Sequence, residues 1–185
     1  MNLCIDQGNS STKIAVFEGN EIVYTTRCKK SGLEEIKTIF EQYKIKSAIL
    51  STVRNDDQDL HHFLNDQQVR FLTLTHETTL PIVNLYRTPE TLGKDRLAAV
   101  IGAASIQPDT DLLVIDAGTA ITYDFIDASG IYHGGNIAPG LELRLKSLHE
   151  NTQKLPWVDI EAEIDFLGND TLSAMQAGAL YGVVF

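Results

Sequence analysis

Two short stretches of this sequence place the same residue types at the same spacing. Asp6-Gln7-Gly8-Asn9-Ser10-Ser11-Thr12-Lys13 and Asp116-Ala117-Gly118-Thr119-Ala120-Ile121-Thr122 share Asp, Gly and Thr at equal offsets. Each reads as a strand, a tight turn and a return strand. A plain β-hairpin explains one such turn, because Gly-Asn is a common turn pair. A phosphate cradle explains it too: glycine lets backbone amides approach an anion, hydroxyls and Lys13 donate to it, and Asp6 positions a hydrated cation. The repetition favours the cradle, since two acidic hairpins facing each other across a cleft can grip a nucleotide's phosphates from both sides. No Walker A sequence is present, which excludes a P-loop kinase.

A third cluster, Gly93-Lys94-Asp95-Arg96, opens an apolar helical stripe at Leu97, Val100, Ile101 and Ala104. Asp95 at a helix N-terminus either complements the helix dipole or serves as a proton acceptor. A carboxylate is far too weak a base to deprotonate an alcohol beforehand. It takes the proton late, as a loose phosphoryl transition state develops. Arg96 offers a rigid fork for a carboxylate or phosphate, or forms a surface ion pair. Gly134-Gly135-Asn136-Ile137-Ala138-Pro139-Gly140 reads as a turn into a helix that Pro139 starts. Asp124 reads as a solvated strand residue rather than a second acidic contributor. His61-His62 and His149-Glu150 lack metal-ligand spacing, Trp157 reads as a core or interface anchor, and Asp159 to Asp165 as a solvated face. Cys4 and Cys28 read as buried, reduced thiols.

The elements that must position these residues follow from periodicity. Asn2 to Gln7, Thr12 to Glu18 and Glu21 to Cys28 form a strand meander. Ser31 and Glu34 then predict a capping box for a helix of about 12 residues with Leu33, Ile36, Phe40 and Tyr43 on one face. A strand at Ser47 to Val53, a short helix around Leu60 to Leu64 and a strand at Val69 to Leu74 make the pattern alternate, as in a sheet covered by helices. After the stripe at Leu97, the polar run Gln107 to Asp111 marks a boundary between residues 1–108 and 109–185. Strands at Leu112 to Asp116, at Thr119 to Ile126 and from Gly130 repeat the opening meander, so the chain reads as an internal duplication. A helix with Leu141, Leu145 and Leu148 on one face and a final helix from about Thr171 follow.

Composition narrows the function. The chain has 185 residues and 25 acidic against 15 basic side chains, a formal net charge of -10. That balance opposes extended contact with nucleic acid or anionic lipid. The longest nearly apolar stretch, Leu97 to Ile106, is far shorter than the roughly 20 residues a membrane span needs. The N-terminus lacks the basic start and apolar run of a signal peptide, which points to the cytoplasm.

The duplicated Asp-x-Gly turn resembles the phosphate loops of the sugar kinase and actin superfamily. Within it, the residues 6–13, Gly93 to Arg96, 116–124 and Gly134 to Gly140 together closely resemble type III pantothenate kinases. The resemblance implies a duplicated ribonuclease H-like (actin-like ATPase) α/β fold and transfer of phosphate from ATP to the primary hydroxyl of pantothenate. It implies that Asp6, Gln7, Gly8, Asn9, Ser10, Ser11, Thr12, Lys13 and Thr119 bind ATP, and that Asp95 is the catalytic base. Tyr86, Gly93, Lys94, Asp95, Arg96 and Thr171 would hold pantothenate. Asp116 would hold a monovalent cation, potassium or ammonium, with magnesium on the nucleotide. A homodimer is implied as well. Members of the family continue some tens of residues past the position of Phe185, so a further C-terminal piece, or a dimer partner over Val183, Val184 and Phe185, is expected. Two other functions fit the same fold: a polyphosphate or nucleotide hydrolase, and a regulator that binds without turnover.

Overall fold

The computed structural model describes residues 1–8, 11–29, 32–54, 57–161 and 163–184, with Val184 by its backbone alone. Asn9, Ser10, Ser31 and Phe185 lie outside the described residues.

The opening meander is present as β1 (Asn2–Gln7), β2 (Thr12–Glu18) and β3 (Glu21–Cys28), joined in antiparallel register. After α1 (Leu33–Gln42), β4 (Ser47–Thr52) pairs parallel to β1; after α2 (Gln58–Asp66), β5 (Arg70–Thr73) pairs parallel to β4. The sheet order is β3-β2-β1-β4-β5. Because side chains alternate along a strand, Leu3, Ile5, Ile14, Val16 and Leu50 share the face that packs on Ile36 and Ile39 of α1 and on Leu60 and Leu64 of α2. The opposite face mixes apolar residues such as Cys4, Ala15, Ile49 and Leu72 with polar ones such as Asp6 and Lys13.

The predicted capping box rests on Ser31, which lies outside the described residues. The N-cap of α1 is Gly32, in the left-handed region at φ 80°, with no side-chain cap. A Cβ at Gly32 would sit 3.0 Å from Cys28 Sγ and Ile14 Cδ1, so a bare backbone lets the chain turn tightly off β3 onto the sheet. In α2, Asp57 does cap, accepting from the Leu60 N–H at 3.3 Å.

The second sheet has the order β6-β9-β8-β7, built from β6 (Val83–Asn84), β7 (Leu112–Ala117), β8 (Ala120–Ile126) and β9 (Ile131–Pro139). Residues 134–139 are strand, paired to β8, rather than the predicted turn. Pro139 ends that strand, and Gly140 caps α4 (Leu141–Glu150). Strand β6 is only two residues long, too short for any periodicity, and β9 recruits it in parallel. Helix α3 (Lys94–Ile106) packs on β7 and β8 and also touches β4, so it lies between the two sheets. Leu97 and Val100 of α3 meet Ile126 and Tyr132 in a second core. Both β6 and α3 precede residue 109 in sequence yet pack with the second sheet.

A third cluster joins Leu145 of α4 to Met175 and Ala179 of α5 (Thr171–Val184). Trp157, read as a core or interface anchor, is outside the core: it is 56% exposed, edge-on to His149 at 5.8 Å, with its Nε1 donating to Asp159 at 3.2 Å. Cys4 and Cys28 are free thiols, half-buried rather than fully enclosed. Among the described residues, no helix is long and apolar enough to cross a membrane.

Candidate active site

The two hairpins and the start of α3 converge on one cleft of about 290 Å³, lined by residues that include Asp6, Lys13, Arg27, Asp95, Asp116 and Thr119. Three motifs separated by up to 110 positions therefore share a single site. Asp6 and Lys13 face each other directly across β1 and β2, with Lys13 Nζ 3.9 Å from Asp6 Oδ2. Gly8 closes the first turn by donating its N–H to the Ser11 carbonyl at 3.0 Å; Arg54 Nε donates to the Gly8 carbonyl at 2.6 Å and steadies the loop from outside.

The convergence has an electrostatic consequence. Burial pushes the Asp6 carboxyl above its ordinary value, Lys13 pulls it back, and the charges of Asp95 and Asp116 push it further up. A phosphate entering beside three such carboxylates would meet repulsion that a cation could offset. Among the described residues, no three His, Cys, Asp or Glu side chains form a ready metal cage. The donors at the second hairpin are hard oxygens: the Asp116 carboxylate with the neighbouring Thr119 and Thr122. That set fits a weakly held cation better than a dedicated divalent site, which takes more carboxylate.

The expected ATP-binding residues divide by strand parity. Asp6, Gly8, Ser11 and Lys13 line the cleft, whereas Gln7 and Thr12 are 1% and 0% exposed on the opposite face, with Gln7 Nε2 donating to Asp57 at 3.2 Å. Arg27 lines the cleft without having been read from the sequence, donating from Nε to Ser11 Oγ at 2.8 Å. Arg27 lies directly opposite Lys13 and shares its face only because a bulge between Val16 and Phe17 shifts the β2–β3 register by one; a regular meander would have put Thr26 there.

Around α3, the Arg96 backbone N–H donates to Asp95 Oδ1 at 2.9 Å. A Cβ on Gly93 would collide with that same oxygen, so glycine leaves the carboxylate room at the helix start. Lys94 Nζ is engaged by the Leu92 carbonyl at 2.9 Å and the Pro89 carbonyl at 3.3 Å, holding the loop before the helix. Arg96 does not form a surface ion pair. Its side chain is 4% exposed and meets Asp124, whose side chain is 2% exposed, with Nη2 to Oδ1 at 2.6 Å. Asp124 is thus not a solvated strand residue. Tyr86 lies beside this pair, its ring 5.6 Å from Arg96 Cζ and stacked on Tyr132 at 6.4 Å. Thr171 is exposed at the start of α5 and does not line the cleft.

The Gly134 to Gly140 segment serves close packing. A Cβ on Gly140 would collide with the Gly118 carbonyl and lie 2.7 Å from that of Thr119, and the Gly140 N–H donates to the Thr119 carbonyl at 2.9 Å. The segment buttresses the second hairpin from behind.

Residues 2–185 match the family described as Type III pantothenate kinase. The chain is 44% identical over 185 residues to proteins named type III pantothenate kinase from Phocaeicola vulgatus and Bacteroides fragilis, covering all of itself and 76% of each relative. Against the protein of that name from Porphyromonas gingivalis it is 40% identical, over 98% of this chain and 75% of the relative. Among solved structures, a protein described as a Baf family transcriptional activator from Campylobacter jejuni superposes with TM-score 0.58 at 23% identity, over 98% of this chain and 75% of that one. A 2-dehydro-3-deoxygalactonokinase protein from Sinorhizobium meliloti does so with TM-score 0.58 at 11% identity, over 100% and 80%. Those two likenesses show the fold alone, a duplicated α/β architecture. The sequence matches show the family: this chain belongs to the type III pantothenate kinases.

Proposed function

We propose that the chain transfers the terminal phosphoryl group of ATP to the primary hydroxyl of pantothenate in this cleft, the first step of coenzyme A biosynthesis, with Asp95 as the base. The observation that carries the reading is the meeting of Asp6, Asp95 and Asp116 in one cleft between the two hairpins. The first hairpin holds the phosphates through Gly8, Ser11 and Lys13, with Gln7 and Thr12 contributing backbone groups and Asn9 and Ser10 assigned by resemblance. Thr119 holds them from the second hairpin. Asp116 holds potassium or ammonium, and magnesium enters with the nucleotide; these ions offset repulsion between the triphosphate and the carboxylates.

Pantothenate lies along Gly93 to Asp95 and Tyr86, with Arg96 shaping that pocket from beneath. As its hydroxyl oxygen bonds to the terminal phosphorus, the bond from phosphorus to the bridging oxygen of ADP breaks, and the hydroxyl proton passes to Asp95. Thr171 stands apart from the cleft of its own chain, so its assignment to pantothenate rests on a homodimer that brings it in. The halves 1–108 and 109–185 are the units of the duplication, and the cytoplasm is the compartment. The deciding assay is ADP formation with and without pantothenate, in potassium, ammonium or sodium at constant ionic strength. Pantothenate-dependent ADP that rises in potassium or ammonium is expected. ADP without pantothenate would make the protein a hydrolase, and binding without turnover a regulator.

A further inference from the structure

Arg96 and Asp124 form a buried ion pair of unusual completeness. Arg96 Nε lies 3.1 Å from both Asp124 oxygens and Nη2 lies 2.6 Å from Oδ1. The wholly buried Tyr132 donates its hydroxyl to the same Oδ1 at 2.6 Å. Burial lowers the Arg96 pKa, but its hydrogen bond with Asp124 and the charge of Asp124 outweigh this and hold the guanidinium above its ordinary value. Burial, together with Asp124, pushes the Tyr132 hydroxyl up as well. The guanidinium is therefore charged and the tyrosine neutral at neutral pH.

The surroundings are shaped to admit it. A Cβ on Gly135 would collide with the Tyr123 carbonyl and lie 2.8 Å from Asp124 Oδ1. Gly134, at φ 102°, leaves only 3.3 Å between such a Cβ and the Tyr86 ring. The glycine pair of β9 thus makes room for both Asp124 and Tyr86.

A buried ion pair is a poor way to gain stability, because desolvating two charges offsets most of their attraction. What it supplies is geometry. Asp124 belongs to β8, Tyr132 to β9 and Arg96 to the first turn of α3, immediately after Asp95. The Arg96 backbone N–H in turn binds Asp95 Oδ1. An unbroken chain of hydrogen bonds and one residue of backbone leads from the second sheet to the carboxylate that faces the first.

We infer that Asp124 and Tyr132 are positioning residues for the phosphoryl transfer, locking Arg96 so that the carboxylate of Asp95 is held at the cleft. This rests on the reading of Asp95 as the base. Asp124→Asn is expected to lower kcat by about 10- to 100-fold, the range that a small misplacement of a reacting group can cost. Tyr132→Phe, which keeps the ion pair, is expected to lower it by about three- to tenfold. The KM for ATP stays unchanged in both. The decisive readout is the double-mutant cycle with Asp95→Asn: without the base, either second substitution costs less than about twofold further. The same proportional loss with and without Asp95 would overturn the inference and leave the cluster as scaffold, as would an unchanged kcat in Tyr132→Phe. If Asp124→Asn does not fold, Tyr132→Phe carries the cycle alone. An Asp95→Asn protein that turns over within about threefold of the parent sinks the assignment of the base itself; a crippled Asp95→Asn with additive second losses sinks only the positioning role.

Discussion

The two hairpins of the cleft carry nearly the same motif but are not built alike. In the first, Asp6 pairs across the strands with Lys13; in the second, Asp116 pairs with Thr122. The second turn is one residue shorter. Laid over each other without a gap, the sequences match Thr12 with Thr122, yet the structural counterpart of Thr122 is Lys13. With a side-chain period of two, a one-residue shift exchanges faces. Thr12 is accordingly buried while Thr122 lines the cleft. The difference is also one of charge. The first hairpin presents Lys13 to the cleft with Arg27 of β3 beside it, and among the described lining residues the second hairpin presents no cation at all. A duplicated turn has thus become two tools: one suited to anionic phosphate, the other to a cation beside it.

The comparison treats the hairpins as binding devices and leaves the chemistry to α3, and the largest predicted effect tests that division. Asp95→Asn should lower kcat by about 10²- to 10⁴-fold, the usual contribution of a general base, with pantothenate still binding by calorimetry. Loss of pantothenate binding instead would move Asp95 into recognition. Next, Asp116→Ala should remove the preference for potassium or ammonium over sodium, measured at constant ionic strength. Thr122→Lys, which gives the second hairpin the first one's cation, should do the same by repulsion. A variant that keeps the preference would show that the hairpins are more alike than their charges suggest. Smaller still, Arg27→Ala should raise the KM for ATP by about tenfold, as expected for one charge-assisted hydrogen bond, and leave that for pantothenate unchanged. Arg27→Lys should recover part of the loss.

Much of this was legible in the sequence, and what was not has physical causes. The meander, both hairpins and α3 follow from alternation and helical spacing, because each is a local pattern. The contact between Arg96 and Asp124 spans 28 positions, and nothing local marks Asp124 as buried: an aspartate on a return strand is ordinarily solvated. Its hidden cue lay in Gly134-Gly135, whose glycines read as a turn when they in fact clear space inside a strand. Counting register from the Gly19-Asn20 turn would have placed Thr26, not Arg27, opposite Lys13; a bulge between Val16 and Phe17, which nothing local announces, shifts the pairing by one and turns Arg27 to the cleft. Thr12 and Thr122, matched by the repeat, carry their side chains on different faces, because the equal spacing of two threonines concealed the missing turn residue.

The last prediction concerns what the first hairpin costs the fold. Asp6 is partly buried beside two other carboxylates, and its pKa is raised by burial first and by Asp95 and Asp116 after it, against the pull of Lys13. A group whose folded pKa lies above its unfolded one contributes its full stability only below the unfolded value. That contribution is lost as pH climbs through the folded value, because the native state then carries a charge it resists. At neutral pH the ionised Asp6 is therefore a mild destabiliser, retained for what it binds. Asp6→Asn, close in shape and without the charge, should raise Tm at pH 7 by a small amount while weakening productive nucleotide binding. The gain should shrink as pH falls toward the ordinary aspartate range, where the parent's own carboxyl becomes protonated. Adding magnesium and a nucleotide should reverse the ranking, since ligand stabilises the parent by mass action and the variant less. Thermal unfolding of both proteins across pH, with and without nucleotide, measures all three. An Asp6→Asn protein less stable than the parent at pH 7 without ligand would mean that the attraction between Asp6 and Lys13 outweighs burial and the neighbouring carboxylates, making the first hairpin a self-sufficient ion pair rather than a site waiting for phosphate.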